Sequence, residues 1–132
     1  MTATRRLVLV RAHDCTSETA QTPGMRRVAA VSGALAGASG IWMGRTHVAP
    51  GATSGPHHHG HSETAIFVLA GHPAFIYRED GRQVRLETGP GDFVYVPPFL
   101  PHVESNQGSD EEAVVVIART TQEAVVENLE SL

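Results

Sequence analysis

The sequence predicts an all-β protein built as a single antiparallel jelly-roll β-barrel, and three observations carry that expectation. About eight or nine short segments, rich in β-branched and aromatic residues, follow one another at close and regular spacing. The 13 glycines and 8 prolines fall in clusters between them, where a chain that reverses often needs turn residues. At 132 residues the chain is long enough for one compact domain spanning 1–132, and too short for two of ordinary size.

The first third is the least regular. Arg6 to Arg11 reads as a short strand, and Thr16 to Gly24 as a polar loop ending in Pro23-Gly24. Between Val28 and Ser39 the chain is rich in glycine and alanine; Gly33, Gly37 and Gly40 disfavour a helix, so extended or irregular structure is expected. Ile41 to Val48 is a strand, with Trp42 and Met43 on opposite faces so that one of them lines the barrel. Turn chemistry follows at Ala49-Pro50-Gly51 and at Gly55-Pro56. Glu63 to Leu69, Ala74 to Arg78 and Gln83 to Glu87 are strands, the last two joined by the hairpin signal Glu79-Asp80-Gly81. Beyond the turn Gly89-Pro90-Gly91-Asp92, Phe93 to Val96 and His102 to Ser105 flank the proline-rich turn 97–101. Ala113 to Arg119 is the last strand. Thr120, with Glu123 three residues on, makes a capping box for a short C-terminal helix. Phe67, Phe75, Tyr77, Phe93 and Tyr95 are expected mostly in the core, and Arg45 and Arg119 on a solvated face rather than against an anionic substrate.

Four of the eight histidines are crowded together at His57, His58, His59 and His61. Alternate residues of an extended segment share a face, so His57, His59, His61 and Glu63 point one way while His58 and Ser62 point the other. Imidazoles and a carboxylate aimed together into a barrel suit a divalent transition metal. The imidazoles favour Zn, Ni, Fe or Cu, and a carboxylate extends the range to Mn. Taken alone, the run reads equally well as a histidine-rich solvated loop.

The wider pattern decides between these. Gly51 is followed after five residues by His57-His58-His59, after three more by Glu63, and then by Gly71. Farther on, Gly91 is followed after five residues by Pro97-Pro98-Phe99, after two more by His102, and after three more by Asn106. In order and separation the two arrays resemble the two motifs of the cupin superfamily. Two departures stand out: Phe99 replaces a glycine, and Gly71 comes one residue late, which a one-residue bulge would absorb. The resemblance implies a barrel holding one divalent transition metal per chain (Zn, Fe, Ni, Mn or Cu), with His57, His59, Glu63 and His102 as its ligands. His61 shares their facing and either replaces Glu63 as a ligand or serves as an acid–base residue. The resemblance also implies a homodimer, paired through the sheet that contains the N-terminal strands, with Leu7 to Val10 adding an apolar strand across the partner.

Composition narrows the remaining classes. The lone cysteine, Cys15, excludes an intramolecular disulfide framework and fits a reducing cytoplasm. With a net charge of −4 and ten scattered basic residues, the chain has no basic stripe for nucleic acid. Although Arg5 and Arg6 precede it, the apolar run Leu7 to Val10 is too short for a signal-peptide core, and no stretch approaches the roughly 20 apolar residues that cross a bilayer. No Ser-His-Asp or Cys-His nucleophile pattern is present. The expected partner besides a second copy is therefore a small-molecule ligand or substrate. Three functions fit: a metal-dependent enzyme acting on a small carbonyl, carboxylate or amino-acid-derived compound, a non-catalytic binding or sensor module, and a zinc cupin of a natural-product pathway.

Overall fold

The main sheet follows from alternation. Along Ile41–Val48 and Ala113–Thr120 successive side chains are buried and exposed in turn, so each strand has one dry and one wet face. The computed structural model describes residues 5–122 and 125–132. Its strands are β1 (Arg26–Val31), β2 (Ile41–Val48), β3 (His57–His58), β4 (Thr64–Ala70), β5 (Ala74–Glu79), β6 (Arg82–Glu87), β7 (Phe93–Val96), β8 (Val103–Ser105), β9 (Ala113–Thr120) and β10 (Glu127–Asn128). All pairings are antiparallel: a five-stranded sheet in the order β1-β2-β9-β4-β7, a three-stranded sheet β6-β5-β8, and β10 beside β3. This is the expected all-β jelly-roll architecture. Phe75 of the smaller sheet packs with Trp42, Ile66, Val68, Val115 and Ile117 of the larger one to form the core.

Two local details match their sequence signals. Asp80 and Gly81 both adopt positive φ, 51° and 77°, as a tight hairpin between β5 and β6 requires. The register of β4 against β9 slips between Val68 and Ala70, a bulge that takes up the extra residue ahead of Gly71.

The inner face of the large sheet is arranged in cross-strand rows. One row holds Trp42, Arg119, Thr64 and Val96; the next holds Gly44, Ile117, Ile66 and Val94. Gly44 is small for a reason. A Cβ there would meet the Trp42 ring at 2.7 Å and collide with the Val28 carbonyl, so the absent side chain makes room for the indole. Trp42 is thus the barrel-lining member of its pair, and Met43 is exposed.

Several expectations need correcting. Residues 5–11 form no strand, and Leu7 is fully exposed. The outer edge of β1, where that segment would pair, already exchanges hydrogen bonds with Thr16 through Ala29. Within 28–39 the chain makes β1 and then a one-turn helix, α1 (Gly33–Ala36). Ser32 Oγ caps it by accepting from the Leu35 N–H, and Gly37 ends it in the left-handed region, which offsets the poor helix propensity of glycine. No helix follows Thr120 among the described residues; Glu123 of the expected capping box lies outside them, and Glu127–Asn128 pairs as strand β10. Phe93 and Tyr95 are exposed rather than core, because Val94 and Val96 take the inward positions of β7. Arg119 is 2% exposed, the reverse of a solvated arginine.

Candidate metal centre

Gly55-Pro56 ends a loop and delivers the chain into β3, which places His57 and His59 inward on alternate positions. His57 and His102 then pair across the barrel: each donates its backbone N–H to the other's carbonyl, at 3.1 and 2.9 Å. Asn106 secures the second motif from behind. Its side-chain N–H groups face the carbonyls of Val48, Ala49 and Glu111, and its backbone carbonyl accepts from the Gly51 N–H.

Three imidazoles converge as a result. The rings of His57 and His102 are 4.4 Å apart, those of His59 and His102 5.1 Å, and those of His57 and His59 5.2 Å. One nitrogen from each lies within 4.8 Å of the other two, a spacing that fits a single metal ion. All three side chains are buried.

The opposite nitrogens explain the orientation. His57 Nδ1 lies 2.9 Å from the Gly55 carbonyl, His102 Nδ1 2.9 Å from the Leu100 carbonyl, and His59 Nδ1 3.1 Å from the Val125 carbonyl. A carbonyl oxygen only accepts, so Nδ1–H donates at His57 and His102 and the lone pair is left on Nε2. At His59 Nδ1 both the accepting Val125 carbonyl and the donating Arg119 Nη1 lie within hydrogen-bond distance. Burial keeps the rings neutral. It lowers His57 to about 3, aided by His102, and His59 to about 2, aided by the Arg119 charge; His102 is lowered as well, chiefly by burial. Near neutral pH no proton competes for these lone pairs.

The structure brings together His57, His59 and His102, and it leaves Glu63 and His61 outside. Gly60, at φ 56°, turns the chain, and the alternation restarts one residue out of step. Ser62 and Thr64 face inward, whereas His61 and Glu63 are exposed. The Glu63 carboxylate accepts a hydrogen bond from the Tyr95 hydroxyl at 2.5 Å on the outside of the sheet. His58 also points away; its Nδ1 accepts from the Gly60 N–H, and its ring stands 5.9 Å from that of Phe99. Phe99 itself holds φ 61° where the motif has glycine.

Charged residues that the sequence reading placed elsewhere, or passed over, surround the group. Arg119 Nη1 lies 3.0 Å from both His59 Nδ1 and the Val125 carbonyl. Glu104, two residues beyond His102, is buried too, and burial raises it to about 8 against the pull of Arg27. Alternation signals both: Arg119 continues the inward series Ala113, Val115, Ile117, and Glu104 keeps the parity of His102. Arg27 carries no comparable signal, since its neighbours Val28 and Ala29 are both buried. A cleft of about 210 Å³ opens beside the group, walled by apolar residues such as Phe75, Leu86, Val94 and Leu100 and reaching His102.

Comparison with known proteins agrees with this geometry. A family model for the cupin domain matches residues 44–118. No curated protein sequence matches the chain. Among solved structures, an oxalate oxidase in complex with the substrate analogue glycolate is similar at a TM-score of 0.72 and 22% identity, over 85% of this chain and 60% of that one. Oxalate decarboxylase from Bacillus subtilis is similar at 0.72 and 21% identity, over 85% of this chain and 29% of that one. The polyketide cyclase RemF from Streptomyces resistomycificus is similar at 0.72 and 20% identity, over 94% of this chain and 86% of that one. The chain therefore spans less than two thirds of the oxalate enzymes it resembles.

Proposed function

The chain belongs to the cupin family, and we propose that it is a metal-dependent enzyme acting on one small carbonyl, carboxylate or amino-acid-derived molecule inside the barrel. The observation that carries this reading is the convergence of three neutral, buried imidazoles with one nitrogen of each left free. His57, His59 and His102 would hold one divalent ion. Without a carboxylate in the group the argument for Mn weakens, and Zn, Fe, Ni or Cu suits three imidazoles. With three protein ligands such an ion keeps positions open, where it supplies a Lewis acid or an oxygen-activating centre. The chain's own residues do the remaining work. Backbone carbonyls fix the imidazole orientations, burial keeps them unprotonated, and the apolar cleft limits water and selects a small occupant.

A second reading is bond-forming chemistry without redox, as in a zinc cupin, and the near-equal length of the similar polyketide cyclase favours it. A non-catalytic binding module is the third. Elemental analysis of the purified chain separates them: iron or copper supports oxygen chemistry, zinc the second reading, and a metal-free chain that takes up no metal the third. The acid–base role for His61 belongs to the same proposal, although His61 stands exposed on the turn. Its test is the retention of metal in His61→Ala together with loss of turnover on an identified substrate.

A homodimer is likewise proposed. Leu7 and Leu9 are 100% and 70% exposed, and Met43, Phe93 and Tyr95 are exposed on the outer face of the large sheet, so a second copy would cover apolar surface at both places. Light scattering on the full chain should give twice its 14.1 kDa mass; a monomer at micromolar concentration counts against the dimer. No helix among the described residues is long and apolar enough to cross a membrane. A cytoplasmic location is part of the proposal.

A further inference from the structure

The three imidazoles are not held alike. His57 and His102 each meet the carbonyl two residues back in the chain, Gly55 and Leu100, at 2.9 Å. The equivalent carbonyl for His59 is that of His57, and it is already taken by the His102 N–H at 2.9 Å. His59 Nδ1 is met instead by two groups from the far end of the chain. The Val125 carbonyl, an acceptor, lies at 3.1 Å, and Arg119 Nη1, a donor, at 3.0 Å. Arg119 Nη1 also donates to the Val125 carbonyl at 3.0 Å. The guanidinium is fixed in this place, with its Cζ 4.2 Å over the Trp42 ring that Gly44 makes room for.

Burial keeps the His59 ring neutral but does not choose which nitrogen carries its single proton. With the proton on Nδ1, the ring donates to the Val125 carbonyl, and Arg119 Nη1 faces an N–H group that it cannot bond. With the proton on Nε2, Nδ1 accepts from Arg119 while the second Nη1 hydrogen stays on the Val125 carbonyl. Both arrangements make two hydrogen bonds, but only the second sets the guanidinium on the imidazole lone pair. A bond from a charged donor is the stronger kind. The second arrangement also puts one N–H among the three converging nitrogens, where otherwise three lone pairs face one another within 4.8 Å.

We propose that Arg119 is a positioning residue that holds His59 as the Nε2–H tautomer in the metal-free protein, so that a metal must displace that proton to bind. The metal step rests on the reading of His57, His59 and His102 as a metal centre; the tautomer itself does not. On binding, Nε2 gives its proton to water and Nδ1 takes one from water, so the ring stays neutral and no net proton is released. The Val125 carbonyl then accepts from Nδ1–H. Arg119 thereby weakens metal binding, because only the minor tautomer of His59 is competent.

Long-range proton–nitrogen correlation spectra of the isotope-labelled chain read each tautomer directly, since protonated and bare ring nitrogens differ widely in shift. Without metal, the proton should sit on Nδ1 of His57 and His102 but on Nε2 of His59. Zinc should move the His59 proton to Nδ1. Metal-free Arg119→Met should already show His59 as Nδ1–H, and it should bind zinc at least about threefold more tightly than the parent. A purely structural role for Arg119 predicts the reverse, weaker zinc binding with no change of tautomer. Finding His59 as Nδ1–H in the metal-free parent overturns the proposal. So does an Arg119→Met chain that keeps the proton on Nε2 or binds zinc no more tightly. If Arg119→Met fails to fold, the metal-free spectrum of the parent decides. Should the chain take up no zinc, the metal-centre reading falls by itself, and that same spectrum still tests the tautomer.

Discussion

Pro56–His59 and Gly60–Glu63 are adjacent halves of one histidine-rich run, and the fold treats them in opposite ways. In the first half His57 and His59 are buried, with each Nδ1 on a backbone carbonyl and each free nitrogen turned towards His102. In the second half His61 and Glu63 carry side chains just as able to bind metal, yet both face solvent, and Glu63 is taken up by Tyr95. Residue type is therefore not what separates the converging side chains from the exposed ones here. A single positive-φ glycine between the halves shifts the alternation by one residue, and that shift decides which side chains enter the barrel.

The largest effect that would test this contrast is loss of metal from the first half. His57→Ala and His102→Ala should each reduce bound zinc to background, measured by elemental analysis after dialysis; full occupancy in either variant would contradict the assignment. Gly60→Ala comes next. Its Cβ would stand 2.8 Å from Val125 Cγ1, and the backbone at φ 56° is unfavourable for alanine. A cost of roughly 1–3 kcal/mol is expected, seen as a fall in thermal midpoint of several degrees. Gly51→Ala sharpens the test, since it also has positive φ, 75°, but meets nothing within 4 Å. It should lose roughly 1–2 kcal/mol from backbone strain, and a loss equal to that of Gly60→Ala would mean that strain alone accounts for both. The smallest effects belong to the second half. Glu63→Ala and His61→Ala should keep the full metal content and stay within about 0.5 kcal/mol of the parent in stability. A loss of metal in Glu63→Ala would return that carboxylate to the ligand set.

Much of the architecture was legible where local chemistry is decisive. Asp80-Gly81 dictates its hairpin because few other pairs tolerate two positive φ angles, and the late Gly71 indicated the bulge found in β4. The strands from Ile41 to Arg119 lie where alternating residues placed them. The failures share a cause. Arg6–Arg11 has strand-like residues, but the outer edge of β1 is met by Thr16 instead, and Gly33–Ala36 is helical because Ser32 and Gly37 cap it, not because its interior favours a helix. The charge of Arg119 argues for a solvated face, although its place after Val115 and Ile117 in the inward series points the other way.

Local chemistry along the chain supplies the inventory: an all-β chain, the order of its turns, and two motifs carrying imidazoles that a metal can use. These are local properties, set by the backbone preferences of glycine and proline and by the two-residue period of a strand. Which of these candidates meet is set by long-range packing. His57 and His102 are far apart in the chain and become neighbours through one antiparallel bridge, while Glu63, close to His59 in sequence, is turned out of the barrel. The same holds for Arg119, whose burial depends on the Trp42 ring beside it and on the space that Gly44 leaves for that ring. Long-range pairing and the phase of a turn are collective quantities, so no residue's own preference fixes them.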